Sequence, residues 1–239
     1  MLMFKKNYIL NLTEKLSFLW IIPAKAGSKG IPFKNVVSLV GKPLISYTIE
    51  AALKSLLDWV VVSTDCEKAK EICLNSGCQI INRPKTLAGD KVGTLPVLKH
   101  AYNHINWKFD YIVTLQPTSL LRTFEHINEA IKLISSNPAA DSLVSTIEVP
   151  HNMVPESVMY MKEGFLYPYI KNGPKRMQKK KNYFARNGTA IYITKTDIIN
   201  TGILGERIIP YPMNEEHSID IHHYEDLIKV ENISLNRWI

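Results

Sequence analysis

Apolar and polar positions follow two rhythms along the first 150 residues. Short, nearly uninterrupted apolar runs predict buried strands: FLWII (18–22), WVVVS (59–63), CQII (78–81), DYIVTL (110–115) and DSLVSTIEV (141–149). Between them lie stretches with helical spacing: PLISYTIEAALKSLLDW (43–59), CEKAKEICLNSG (66–77), a segment near 94–105 and TFEHINEAIKLISS (123–136). In the first of these, Leu44, Tyr47, Ile49, Ala52, Leu53, Leu56 and Leu57 form one broad apolar stripe. Uniform strands joined through helices predict an α/β fold, a mostly parallel Rossmann-like sheet covered on both faces. In such a sheet chemistry collects at the carboxyl ends of the strands.

Those ends are polar: AKAGSKG, STD, RPKTLAGD and QPTS punctuate four apolar runs. Beyond residue 150 the rhythm loosens, and HNMVPESVMYMKEGFLYPYIKNG (151–173) predicts short strands or a hairpin outside the main sheet. GTAIYI (188–193) and RIIPYPM (207–213) return to core strands, and YEDLIKVENI predicts a closing helix. No internal repeat, low-complexity tract or interdomain linker interrupts the chain.

A length of 239 residues suffices for one full-sized core, and 46% apolar residues with a mean hydropathy of -0.07 describe a soluble globular protein. No run of eighteen apolar residues is present, which argues against a membrane span. The opening MLMFKKNYILNLTEKLSFLW is broken by Asn7, Asn11, Glu14 and Lys15, so residues 1–18 are read as an extension rather than a secretory leader. Cys66, Cys73 and Cys78 form no CxxC and have no nearby histidine. That disfavours zinc and suits small buried thiols in a reducing cytoplasm. The net charge is +7, and KNGPKRMQKKKNYFAR (171–186) holds seven Lys/Arg and no acid. Such a run suits nucleic acid, a polyanionic nucleotide, an acidic small substrate or plain solvation equally well.

The most informative stretch is IIPAKAGSKGIPFKN (21–35), where a strand empties into glycine, serine and lysine. It is no Walker A loop, because no glycine stands four residues before a Gly-Lys-Ser/Thr, and GxGxxG is absent. The ingredients for anion binding are nevertheless present. Gly27 and Gly30 let backbone N–H groups approach an oxygen, Ser28 adds a donor, and Lys25, Lys29 and Lys34 add charge. The bland alternative is a basic surface turn.

PAKAGSKGIPFKN followed by GKPLISYTIEAAL resembles the nucleotide-binding opening of the acylneuraminate cytidylyltransferase family. STD (63–65), RPKTLAGD (83–90), LQPTSLLR (115–122), RMQ (176–178), NGTAIYI (187–193) and SIDI (218–221) follow in that family's order, from about residue 19 to the end. Each motif is weak alone; their order carries the resemblance. It implies a cytoplasmic, magnesium-dependent homodimer that couples CTP to an acidic nine-carbon sugar, making CMP-sialic acid or relatives such as CMP-legionaminate and CMP-pseudaminate. It implies one cytidylyltransferase domain over residues 19–239, with residues 150–186 as an excursion for dimerisation and sugar contact. QPTS favours this branch over the similar CMP-KDO synthetases. The alternatives carried alongside are CMP transfer to another acidic acceptor, such as a KDO-like sugar or phosphonate, and a non-catalytic nucleotide- or nucleic-acid-binding module. Neither nucleic acid nor a membrane is an expected partner.

Residue by residue, the resemblance assigns Lys25, Ser28 and Lys34 to the triphosphate and Asn35 to ribose or base. Arg83, Gly89 and Asp90 go to the cytosine end, and Gln116, Arg176, Gln178, Tyr183 and Phe184 to the sugar. Lys25 and Lys34 are the candidates for charge stabilisation. Lys25 stands where the family has arginine, Ala26 where it has glycine, and Phe33 where many members have a basic residue, so a two-pronged guanidinium contact is lost. The family's two metal-binding aspartates, one residue apart, become Asp220 and His222 here. Asp220 is the expected magnesium ligand; His222, whose imidazole is poorly matched to a hard cation, is the secondary candidate.

Overall fold

The computed structural model describes residues 16–55, 59–171 and 182–238, without the side chains of 236–238. The strands of the first half are β1 (Phe18–Ala24), β2 (Ser38–Leu39), β3 (Lys42–Pro43), β4 (Trp59–Thr64), β5 (Gln79–Asn82), β6 (Tyr111–Thr114) and β7 (Ser142–Glu148); all but the short β2–β3 pair are the apolar runs of the sequence. The later strands are β8 (Met159–Lys162), β9 (Phe165–Pro168), β10 (Phe184–Arg186), β11 (Tyr192–Lys195) and β12 (Ile208–Pro212). The helices are α1 (Leu44–Lys54), α2 (Glu67–Asn75), α3 (Thr94–Asn103), α4 (Phe124–Ser135) and α5 (Tyr224–Trp238).

An eight-stranded sheet runs β10-β7-β11-β6-β1-β4-β5, with β12 on the other edge of β7. The pairs β1–β4, β1–β6, β4–β5 and β7–β12 are parallel, whereas β11 runs antiparallel to both β6 and β7. Along β1 the side chains divide by alternation. Phe18, Trp20, Ile22 and Ala24 join the core shared with α1, α2 and α4, while Leu19 and Ile21 join that of α3. The sheet is thus covered on both faces, and its loops gather at the carboxyl edge. A third cluster packs Ile31, Leu44, Leu120, Leu121 and Ile221 against Leu227 and Val230 of α5, tying the terminal helix to those loops.

Helix α1 and strand β11 are shorter than the sequence reading made them. Helix α1 stops at Lys54, because Ser55 is extended, with its N–H and Oγ both donating to Ala52 O; residues 56–58 lie outside the described residues. Strand β11 begins at Tyr192 and not at 188. Arg186 stands opposite Thr146 and Tyr192 opposite Val144, so residues 187–191 bulge out against Ser145 alone. Ser145 holds both ends of the bulge: its N–H donates to Ile191 O, its Oγ accepts from Ile191 N–H, and its carbonyl accepts from Asn187 N–H. The β8–β9 hairpin forms its own two-stranded sheet. Cys66, Cys73 and Cys78 are buried and unpaired, and burial pushes the thiol of Cys73 up to about 12 and that of Cys78 up to about 11. Among the described residues no helix is long and apolar enough to cross a membrane.

Candidate active site

The carboxyl ends of β1, β5 and β6 open into a cavity of about 330 Å³. Lys25, Ser28, Lys34, Asn35, Arg83, Gln116, Asp220 and His222 all line it, although they come from points spread across most of the chain.

The loop after β1 is braced from several sides. Asp65, just past β4, accepts the N–H of Ala26 through Oδ1 at 2.8 Å, and Asn35 Nδ2 donates to Lys25 O at 2.9 Å. Lys34 Nζ donates to Ile221 O at 2.5 Å. Burial pushes the Lys34 ammonium below its ordinary value, and the carboxylates of Asp220 and Asp226 oppose that shift. Lys25 Nζ donates to Asp90 Oδ1 at 2.7 Å, and Lys29 stands 3.9 Å from the other oxygen of the same carboxylate. The hydrogen bond from Lys25 holds the Asp90 carboxyl below its usual range. Asp90 therefore sits against the lysines of the phosphate-type loop, and Gly89 accepts the N–H of Val92 in the same turn.

Arg83 is buried beneath the cavity. Its Nη2 donates to Ser63 O at 2.7 Å and its Nε to Ser63 Oγ at 3.3 Å. Desolvation lowers its guanidinium and the Asp65 carboxylate works against that shift. STD thus has a physical role that the sequence reading left blank: Ser63 orients Arg83, and Asp65 ties Arg83's charge to the glycine loop.

The segment carrying Asp220 is clamped by glycines. Gly188 holds φ at +78°, and a Cβ there would lie 2.5 Å from Asp220 Oδ2. A Cβ on Gly30 would collide with His222 O. Ile221 is fully buried and donates its N–H to Thr118 O, so its two neighbours stand beside the cavity. His222 Nε2 lies 2.9 Å from Asp220 Oδ2, whereas Asp220 Oδ1 is buried with no hydrogen-bond partner among the described residues. The pair therefore reads as a carboxylate oriented by an imidazole, with one oxygen left over. Among the described residues no cluster of three His, Cys, Asp or Glu could by itself hold a metal.

Gln116 and Thr118 line the cavity on the β6 side. Tyr183 donates its hydroxyl to Glu156 Oε1 at 2.7 Å, and Phe184 lies on β10 opposite Glu148; neither lines the cavity. Arg176 and Gln178 lie outside the described residues. Sequence reasoning missed Gly93 and Thr94, which bring the amino end of α3 to the cavity, and Thr189 in the bulge. Gly-Thr ahead of an amphipathic helix was the available signal for the first two. Thr189 lay inside the NGTAIYI motif, but that motif read as a continuous strand and hid the bulge that brings Thr189 to the cavity.

The cytidylyltransferase family profile matches residues 19–222. An N-acylneuraminate cytidylyltransferase of Streptococcus agalactiae is 33% identical over 215 residues, 88% of this chain and 51% of that protein. A pseudaminic acid cytidylyltransferase of Campylobacter jejuni is 37% identical over 124 residues, 50% of this chain and 53% of the relative. The chain spans about half the length of these curated relatives. A solved CMP:2-keto-3-deoxy-manno-octonic acid synthetase superposes with a TM-score of 0.70 at 17% identity, covering 92% of this chain and 99% of that one. That likeness establishes a shared fold.

Proposed function

The chain belongs to the cytidylyltransferase family, and on that premise we propose that it transfers CMP from CTP to the anomeric hydroxyl of a sialic-acid-like nine-carbon acid sugar, releasing pyrophosphate. The observation that carries this reading is the convergence of Lys25, Ser28, Lys34, Arg83, Gln116 and Asp220 on one cavity.

In the proposed step the anomeric oxygen forms a bond to the α-phosphorus as the bond to the bridging oxygen of pyrophosphate breaks, and the hydroxyl proton passes to solvent water or to the departing pyrophosphate. Charge accumulates on the phosphoryl oxygens, so fixed cations and backbone dipoles can supply most of the rate. Lys34, held at its tip by Ile221 O, is placed to meet that charge. Lys25, paired with Asp90 Oδ1 at 2.7 Å, would reach the triphosphate by exchanging that carboxylate for a phosphate oxygen. Arg83, fixed by Ser63, faces the base, and Gln116 offers an amide to the sugar acid. Asp220 suits magnesium: its unpartnered Oδ1 is a hard donor, and triphosphate oxygens and water can complete the shell that a single carboxylate leaves open. Bound there, the ion would neutralise phosphate charge; His222 would steady the carboxylate from its other oxygen. A cytoplasmic location agrees with three unpaired buried thiols.

Pyrophosphate release tests the reading directly. The protein is supplied with magnesium, each of CTP, UTP and ATP, and a panel of N-acetylneuraminate, pseudaminate, N,N'-diacetyllegionaminate and KDO. Release with CTP and a nine-carbon acid supports it. Release with KDO alone reassigns the acceptor, and none with any pair removes the proposed activity.

A further inference from the structure

Arg122 is 2% exposed, yet the oxygens that hold its guanidinium among the described residues are all neutral. Nη1 donates to Ala190 O at 2.9 Å and to Gln116 O at 3.3 Å, and Nη2 donates to Thr48 Oγ1 of α1 at 2.9 Å. Nε has no partner among the described residues. Burial alone pushes the group down to about 9, so it is still charged at neutral pH. A buried cation without a carboxylate is costly, and an apolar side chain could fill the same volume more cheaply. Packing therefore does not explain this residue.

Geometry does. Gln116 opens the QPTS segment and Ala190 belongs to the bulge 187–191; the N–H of Gln116 also donates to Thr189 O at 3.2 Å. One planar donor group thus fastens two loops, from separate parts of the chain, to each other and to α1. Gln116 and Thr189 line the cavity while Arg122 grips the carbonyl of Gln116 itself and that of Ala190, next to Thr189. The opposite wall, with Lys25, Ser28, Lys34 and Arg83, is braced by other contacts: Asp65, Ser63 and Ile221.

We infer that Arg122 is a positioning residue that sets the acceptor side of the cavity, holding Gln116 and Thr189 at a fixed separation through their backbone. The inference deepens the proposed function and rests on it for the identity of that side. Lysine cannot replace the fork, because an ammonium is a point donor without the planar reach across both carbonyls.

The test compares wild type with Arg122→Lys and Arg122→Met. Steady-state rates are taken with whichever acid sugar of the panel the wild type uses, CTP affinity by calorimetry, and backbone order by hydrogen exchange. In Arg122→Lys we expect the acceptor KM to rise about tenfold or more with CTP affinity within about twofold, a split that general destabilisation does not produce. Exchange should quicken in 116–122 and 187–191 and stay unchanged in β6. An unaltered acceptor KM overturns the inference, as does a parallel loss of acceptor and CTP binding. If the wild type transfers CMP to no acid in the panel, the proposed function fails, and exchange alone judges Arg122: unchanged protection in both loops refutes the positioning role. Arg122→Met, which lacks any charge, should show the same loop loosening, and equal protection in it counts against the inference in the same way.

Discussion

Lys34 faces two opposing influences, a burial that disfavours its charge and the carboxylates of Asp220 and Asp226 that favour it, and the first prevails. A base with a lowered folded value loses its proton at lower pH than an ordinary lysine. The charge that meets the triphosphate should therefore disappear on the alkaline side earlier than for a solvent-exposed lysine, giving kcat/KM a falling alkaline limb. Lys34→Arg should move that limb to higher pH, since a guanidinium holds its proton, whereas a limb left in place would assign it to another group. Lys34→Ala should lower kcat about 10²–10³-fold, the scale seen when one donor to a developing oxyanion is removed. Gly188 makes a different demand. Alanine there meets a positive φ, costing about 1–3 kcal/mol, and also drives its Cβ into Asp220. Gly188→Ala should lower Tm and weaken the dependence of turnover on magnesium; normal magnesium titration would show that Asp220 does not depend on this contact. Lys25, Arg83 and Gln116 stand just past strand ends, but their assignment, like that of Lys34 ten residues beyond β1, came from the family resemblance and not from spacing. The clamps at Gly30 and Gly188 were not, since each is decided by a residue far along the chain.

Helix α4 links the QPTS segment to the Asp220 segment through a titratable contact. His126 Nδ1 accepts from Thr123 N–H at 3.0 Å and lies 3.1 Å from Thr123 Oγ1, closing a capping box at the helix start. The ring of His217 lies 4.5 Å away, edge to face, and Tyr211 packs on the same imidazole while donating to Glu129. Burial lowers the proton affinity of His126, and His217 and Arg122 add to that while Glu129 and Glu125 oppose it. Because the folded value lies below the unfolded one, the contribution to stability is complete above the ordinary histidine range and is lost as pH falls through it. Tm of the wild type should fall with acidification over that window, and His126→Gln, which keeps a capping acceptor without a titrating ring, should flatten the fall. Equal slopes would discharge His126 from this role. At this scale the strands and helices of the first half were readable from periodicity. The start of β11 was not: an apolar run from Ala190 looks continuous, and only pairing with Ser145 reveals the bulge.

Across the whole molecule, the β8–β9 hairpin and its surroundings expose apolar side chains more than any surface beside the cavity would require. Met161 is 73% and Phe165 69% exposed, with Met159, Tyr160, Leu166, Tyr167 and Tyr169 also open to solvent. Exposed apolar side chains gathered on one hairpin suit an interaction face, and we propose a second copy of the chain as its partner. Met161→Asp with Phe165→Asp should shift the mass in solution from dimer to monomer without lowering Tm by much. A monomeric wild type would remove the proposed dimer. The alternation of elements made the sheet and its polar edge legible; that the Asp220 segment belongs with those loops came only from the family resemblance, and the contacts that hold it there, at Gly30, Thr118 and Gly188, needed the fold itself.

Whether these loops form one site for CTP is decided by a crystal structure of the protein grown with CTP and magnesium. The expected result has triphosphate oxygens on Lys34 and Ser28, Lys25 released from Asp90, cytosine beside Arg83, and the ion on Asp220 Oδ1. A nucleotide bound elsewhere, or a cavity left without CTP and with Lys25 still on Asp90, would contradict the account.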